Sequence, residues 1–71
     1  MSEEKTFSER VAEKLVKLRT DRKLTGDQAA KLAKIGRRTL TDWEKGRRSP
    51  SGRNLEKLAT FYGVTEAWIT R

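Results

Sequence analysis

The amino-acid sequence predicts an all-α fold, a single domain of five helices that occupies residues 1–71. Apolar residues recur at three- and four-residue intervals along most of the chain, a spacing that is typical of amphipathic helices. The segments between these stretches are short and contain Gly, Ser, Pro or Thr, which end or begin helices. No stretch alternates polar and apolar residues for long enough to predict a β-strand.

The first predicted helix covers residues 6–22. Its apolar positions recur at helical spacing: Val11, Leu15 and Leu18. Thr6 and Glu9 have the spacing of a capping box, in which two side chains satisfy backbone N–H groups at the start of a helix. Ser8 is a second candidate for the N-cap. Residues 1–5 are polar, and we expect them to be disordered.

Two short helices follow, at residues 26–33 and 37–45, joined by a turn at residues 34–36. Thr25 and Gln28 form a second candidate capping box before the first of the pair. The apolar positions of the pair are spaced five, five and three residues apart: Ala30, Ile35, Leu40 and Trp43. This pattern predicts that the two helices cross closely at a small residue and that the second packs on the core, as in a helix-turn-helix.

The rest of the chain predicts a loop and two more helices. Gly46 is expected to end the third helix, and residues 46–52 are a loop by composition. A fourth helix is predicted at residues 52–62 and is ended by Gly63. A last short helix is expected to begin after Thr65.

Positive charge is concentrated in one part of the chain. There are 17 Lys and Arg side chains against 10 Asp and Glu, a net charge of +7. Residues 34–53 hold seven of the cations and only two anions, Asp42 and Glu44, so the local net charge is +5. The seven cations are Lys34, Arg37, Arg38, Lys45, Arg47, Arg48 and Arg53. This patch favours a polyanionic partner; a merely solvated charged surface is the alternative interpretation.

The residues that the chain lacks disfavour several classes of function. With no Cys and no His, it has no disulfide, none of the common zinc sites and no His or Cys to act as base or nucleophile. We therefore expect no metal, no cofactor, no small-molecule substrate and no enzymatic activity. No apolar run reaches the roughly 18 residues of a membrane span, and residues 1–7 lack the apolar core of a signal peptide. We expect a cytoplasmic protein without membrane association.

The third helix has a polar face opposite its two apolar residues. That face carries Arg37, Arg38, Thr41 and Asp42. In a helix-turn-helix, the N-terminal end of the second helix enters the major groove of DNA. There Arg can bind O6 and N7 of guanine, and Asp can accept a hydrogen bond from N4 of cytosine. An ion pair with Arg38, four residues earlier, is the alternative role for Asp42.

The stretch TGDQAAKLAKIGRRTLTDWEKG, residues 25–46, resembles the helix-turn-helix of the lambda-type phage repressors and Cro proteins (the XRE family). TFSERV at residues 6–11 resembles the start of the first helix in some members. LTDWEKG at 40–46 resembles the family pattern I-S-x-W-E-x-G. Residues 49–55 resemble its S-P-S-x-x-N-L, and residues 63–69 resemble its closing G-V-s-x-x-W-L. The resemblance covers nearly the whole chain and implies the family's five-helix fold.

The resemblance also implies roles for individual residues. Base contacts fall on Arg37, Arg38, Thr41 and Asp42. We assign contacts to DNA phosphates to Gln28, Lys45, Arg47, Arg48, Arg53 and Asn54. A two-fold dimer interface falls on Trp68 and Ile69, and an ion pair joins Arg19 to Glu44. We expect Trp43 to pack in the core rather than to stack on a base.

The chain departs from the family pattern at three positions. The family usually has Gln at the first position of the second helix, where it contacts a phosphate; here that position is Gly26, and Gln28 lies two residues later. Lys34 replaces the usual Gly of the turn, so we expect a non-glycine residue in the left-handed conformation. Gly36 replaces the usual Ser or Thr before the third helix.

The function implied is sequence-specific binding of double-stranded DNA by a transcriptional regulator, a phage-type repressor or Cro-like protein that binds a palindromic operator as a homodimer. An antitoxin or a restriction-modification controller of the same fold is an alternative. A protein-interaction module without DNA binding is another. The length fits either a complete Cro-like protein or the N-terminal domain of a longer repressor.

Overall fold

The computed structural model describes residues 5–71, and within them the fold is all-α with five helices, as predicted. The helices are α1 (Phe7–Asp21), α2 (Gly26–Ala33), α3 (Arg37–Glu44), α4 (Gly52–Tyr62) and α5 (Glu66–Thr70). The predicted bounds differ by one residue at the ends of α1 and α3. Residues 1–4 of the segment predicted to be disordered lie outside the described residues, while Lys5 forms an ion pair with Glu13 of α1.

Both predicted capping boxes are present. The Thr6 hydroxyl accepts a hydrogen bond from the Glu9 N–H at 3.1 Å, and the Glu9 carboxylate accepts one from the Thr6 N–H at 2.9 Å. Thr6 is therefore the N-cap of α1, and Ser8 lies inside the helix. Thr25 and Gln28 form the same pair of bonds at the start of α2. Because each box satisfies two backbone donors, it determines where its helix begins.

The turn between α2 and α3 has the predicted left-handed residue. Lys34 has φ 61° and ψ 45°, which places it in the region that favours Gly. Its conformation lets the Ile35 N–H donate to the Ala30 carbonyl at 2.9 Å, which satisfies a carbonyl at the end of α2. The Lys57 ammonium of α4 also donates to the Lys34 carbonyl at 3.2 Å.

Gly46 brings the loop after α3 against α1. Its φ is +75°, and a Cβ at this position would lie 3.4 Å from Cγ of Glu9 and 3.6 Å from its Cα. A side chain there would be strained by the backbone conformation, and its Cβ would be in van der Waals contact with α1. At the other end of the chain, the Thr65 hydroxyl accepts from the Trp68 N–H at 3.0 Å and so caps α5, as predicted.

The core is a single cluster to which all five helices contribute. Its members are Val11, Leu15, Leu18, Ala29, Ala30, Leu40, Trp43, Leu58, Ala59, Tyr62 and Ile69. Trp43 is only 3% exposed, so it packs in the core, as expected. No helix within residues 5–71 is long and apolar enough to cross a membrane.

Candidate nucleic-acid interface

The first turn of α3 is exposed because the same helix is fixed from its other face. Leu40 and Trp43 are both buried in the core, and they lie three residues apart on one side of α3. Arg37 and Arg38 are consequently exposed at the N-terminal end of the helix. The structure thus presents two consecutive, exposed arginine residues at the end of α3 that a helix-turn-helix inserts into the major groove.

Arg37 contacts the start of α2. Its Nη1 forms an ion pair with the carboxylate of Asp27. A Cβ at position 26 would lie 3.3 Å from Nε of Arg37 and 3.5 Å from its Cζ, so the guanidinium occupies space that a side chain at Gly26 would crowd. Gly26, where the family usually has Gln, therefore leaves room for the Arg37 guanidinium. No signal in the sequence pointed to Asp27.

Thr41 and Arg38, the next two residues of the polar face, differ in their surroundings. Thr41 lines a cleft of about 310 Å³ between α1, the start of α2 and α3, together with Arg37 and Lys45. Arg38 is exposed and forms no ion pair within residues 5–71. Arg38 is therefore the cation of this face that keeps all its donors for an external partner.

Asp42 pairs with the loop that follows α3. Its carboxylate lies 3.4 Å from Nη1 of Arg47 and 3.6 Å from Nε of Arg48, and its side chain is only 19% exposed. The Asp42 carbonyl also accepts from the Arg47 N–H at 3.0 Å. The alternative of an ion pair with Arg38 is wrong, because the loop turns back after α3 and brings two other guanidinium groups to this carboxylate.

The residues predicted to contact phosphates are all exposed, but they lie in three separate parts of the fold: α2, the loop after α3, and α4. Arg47 and Arg48 lie beside α3, where they form ion pairs with Asp42. Arg53 lines a groove between α2 and α4 with Leu32, Lys34 and Phe61, close to the turn of the helix-turn-helix. Gln28 uses its amide oxygen to accept from the Thr25 N–H at 2.9 Å, which leaves its NH₂ group to donate. Lys45 directly follows the last residue of α3, and Asn54 lies next to Arg53 in α4.

The predicted ion pair between Arg19 and Glu44 is present. Nε of Arg19 lies 3.0 Å and 2.9 Å from the two carboxylate oxygens of Glu44, and Nη1 donates to the Leu24 carbonyl at 2.9 Å. This network joins α1 to the end of α3. Tyr62 lies nearby in the core, and burial, together with the negative charge of Glu44, raises the pKa of its hydroxyl above the ordinary value of 10.0.

The two residues predicted for the dimer interface differ in their exposure, and the prediction is wrong for Ile69. Ile69 is 0% exposed, because α5 turns this side chain into the core, where a partner could not touch it. Trp68 is half-buried, and the ammonium of Lys14 lies 5.6 Å from the centre of its ring. Only Trp68 of the two residues keeps accessible surface.

Residues 15–69 match the family model described as helix-turn-helix. The chain therefore belongs to the helix-turn-helix family, in agreement with the resemblance seen in the sequence.

The cryptic phage CTXphi transcriptional repressor RstR of Vibrio cholerae is 41% identical over 51 residues, which are 72% of this chain and 46% of RstR. The transcriptional activator BcrR of Enterococcus faecalis is 36% identical over 53 residues, 75% of this chain and 26% of BcrR. The chain thus spans less than half the length of either curated relative.

A solved structure gives the same fold. The DNA-binding domain of BldD from S. venezulae superposes with a TM-score of 0.80 over 92% of this chain and 97% of that domain, at 22% identity. At this identity the likeness supports the arrangement of the five helices and carries no information on individual contacts.

Proposed function

We propose that this protein is a transcriptional regulator that binds double-stranded DNA sequence-specifically by inserting the N-terminal end of α3 into the major groove. The observation that carries the proposal is the arrangement of α3: Leu40 and Trp43 are buried behind it, and Arg37 and Arg38 are exposed at its first turn. Arg is the side chain that most often contacts guanine in the major groove. Thr41 completes the base-contacting set that we propose. Asp42, which the sequence also predicted to contact a base, is left out of this set because its carboxylate faces Arg47 and Arg48.

Contacts to the DNA backbone on both sides of α3 would fix its register. Lys45, Arg47 and Arg48 follow α3 directly and are exposed. We propose that they contact phosphates on one side of the groove. Gln28 at the start of α2, and Arg53 and Asn54 in the first turn of α4, complete the phosphate-contacting set.

We further propose that the protein is a phage-type repressor that binds a palindromic operator as a homodimer in the cytoplasm. RstR, which is named a phage transcriptional repressor, is 41% identical to this chain, and the named activator BcrR is 36% identical, which favours repression. Trp68 is our candidate for the dimer contact. Two half-sites bound by a symmetric dimer would lie about 34–36 Å apart.

Selection of binding sites from a random DNA library tests the proposal, followed by titration of the selected duplex at several salt concentrations. We expect an enriched palindrome and an affinity that falls with salt, with a slope of about −0.9 for each phosphate neutralised. Lys17→Ala is the control for loss of a single positive charge, because Lys17 pairs with Asp21 on the surface of α1. Failure to enrich any sequence, with a flat salt profile, would instead support a protein-interaction module.

A further inference from the structure

The ion pair between Asp27 and Arg37 connects α2 to α3 at the surface of the protein. The two side chains are 77% and 55% exposed, and they belong to different helices of the helix-turn-helix. Gly26 contributes no side chain between them, and a Cβ there would lie 3.3 Å from Nε of Arg37. The guanidinium is thus bounded by the backbone of α2 on one side and by a carboxylate at its tip.

Asp27 is at first sight poorly placed for a DNA-binding protein. Its exposed carboxylate lies at the start of α2, beside the helix that we propose enters the groove, and a negative charge there repels DNA phosphates. The dipole of α2 favours a carboxylate in its first turn, and a gain at a contact with DNA would offset the repulsion further. Asp27 accepts a hydrogen bond from Arg37. A gain in DNA binding from Asp27 would therefore arise from the position that it gives the Arg37 side chain.

A long Arg side chain loses rotamer freedom when it binds a base, and fixing it beforehand reduces that loss. Asp27 accepts from Nη1, which leaves most of the five N–H donors of the guanidinium for another acceptor. Such a carboxylate restricts the directions in which Arg37 can point without blocking its contact with a base. A lysine at this position would lack the planar group that makes two parallel hydrogen bonds.

We propose that Asp27 is a positioning residue for base recognition by Arg37 and that Gly26 is required because its missing side chain makes room for the guanidinium. The inference rests on the proposed function, since it names how one base contact is prepared. It assigns a role in sequence specificity to two residues of α2 that do not themselves contact the base.

Asp27→Asn tests the electrostatic part of the proposal, with the selected duplex and a random duplex of equal length as probes. Loss of the negative charge should strengthen binding to the random duplex. Loss of the fixed Arg37 should weaken binding to the selected duplex, so the ratio of the two affinities should fall about fivefold, the lower end of what one good base contact provides. Asp21→Asn, which removes a carboxylate paired with Lys17 on α1, is the charge-matched control and should leave the ratio unchanged.

Gly26→Ala tests the steric part without any change of charge. Its Cβ would lie 3.3 Å from Nε of Arg37, so the guanidinium must shift by a few tenths of an ångström, and the affinity ratio should fall in the same direction as in Asp27→Asn. Ala has a higher helix propensity than Gly, so the melting temperature should stay the same or rise. A fall in specificity together with an undiminished melting temperature is a result that a purely structural role of Gly26 would not produce.

The combination with Arg37→Ala completes the test. In the absence of the Arg37 side chain, Asp27→Asn should have no further effect on the affinity ratio. An unchanged ratio in both Asp27→Asn and Gly26→Ala would overturn the inference while leaving the proposed function intact. A parent protein that binds the selected and random duplexes equally would instead overturn the proposed function itself, so the two failures are distinguishable.

Discussion

Arg19 of α1 donates its Nε–H to both carboxylate oxygens of Glu44, the last residue of α3, at 3.0 Å and 2.9 Å. The side chains are only 19% and 10% exposed, so the pair is largely shielded from solvent. Arg19 also donates to the Leu24 carbonyl in the connection between α1 and α2. One side chain of α1 thus contacts both the last residue of α3 and the connection that leads into the helix-turn-helix.

Glu44→Gln should therefore destabilise the protein markedly, because the charge of Arg19 would remain shielded without its partner. We expect the free energy of unfolding to fall by about 3 kcal/mol, the lower end of the range for one partner of a buried pair. Urea denaturation at neutral pH measures this change. Asp21→Asn breaks the exposed pair with Lys17 and should cost less than about 1 kcal/mol; equal losses in the two variants would contradict the importance of the pair.

Asp42 should act on DNA affinity without affecting base preference. Its carboxylate faces Arg47 and Arg48, and it reduces the positive charge that these residues offer to phosphates. Asp42→Asn should therefore strengthen binding to selected and random duplexes by the same factor, an effect that weakens as salt is added. If only the selected duplex were affected, Asp42 would instead contact a base. Binding titrations on both duplexes separate the two outcomes.

Lys34 is a position where a single substitution should increase stability. Its φ of 61° costs a non-glycine residue about 1–2 kcal/mol. Replacement by Gly removes this cost but lowers the free energy of unfolding by about 0.4–1 kcal/mol, because Gly gives the unfolded chain more conformational entropy. Lys34→Gly should consequently raise the free energy of unfolding by roughly 0.5–1 kcal/mol. Lys31→Gly, inside α2, is the matched control and should lower it by about 1 kcal/mol. A loss of stability in Lys34→Gly would show that the turn is not strained.

Tyr62 should make the protein sensitive to alkaline pH. Its Oη is buried and has no hydrogen-bond partner among residues 5–71, and burial raises the pKa of the hydroxyl above 10.0. The folded state binds the hydroxyl proton of Tyr62 more tightly than the unfolded state does. The contribution of Tyr62 to the free energy of unfolding is therefore fully present below pH 10 and is lost as the pH rises through the raised pKa. Urea denaturation of the parent across this range should show the loss.

Tyr62→Phe removes the hydroxyl and tests its role. At pH 8 the variant should be as stable as the parent or more stable by up to about 1 kcal/mol, because no hydrogen bond is lost. Above pH 10 its stability should fall less steeply than that of the parent. Parallel pH dependences for the two proteins would show that Tyr62 does not titrate differently on folding.

The elements of the fold could be predicted because their signals are local. Thr6 with Glu9, and Thr25 with Gln28, are three residues apart, and each pair sets a helix start through bonds that the sequence spacing alone reveals. The left-handed Lys34 could be expected from the place it takes in the family's turn. Such features depend on neighbours in the chain and hardly on the tertiary structure.

The partners of the charged residues at the site could not be predicted in the same way. Asp27 and Arg37 are ten residues apart on two helices, and their contact depends on the crossing of α2 and α3. The partners of Asp42 depend on how the loop after Gly46 turns back. The pair of Arg19 with Glu44 was expected from family resemblance alone, and the same resemblance placed Ile69 at an interface although it is fully buried.

The base-preference profile of Arg38→Ala, compared with that of the parent protein on the same random DNA library, tests most directly whether the first turn of α3 contacts bases. Arg38 is exposed, so its truncation should leave the fold intact. We predict that Arg38→Ala loses the preference at one position of each half-site and keeps the others, whereas Arg48→Ala weakens binding uniformly and lowers the salt slope by about 1. An unaltered profile with uniformly weaker binding by Arg38→Ala would contradict a base contact by the first turn of α3.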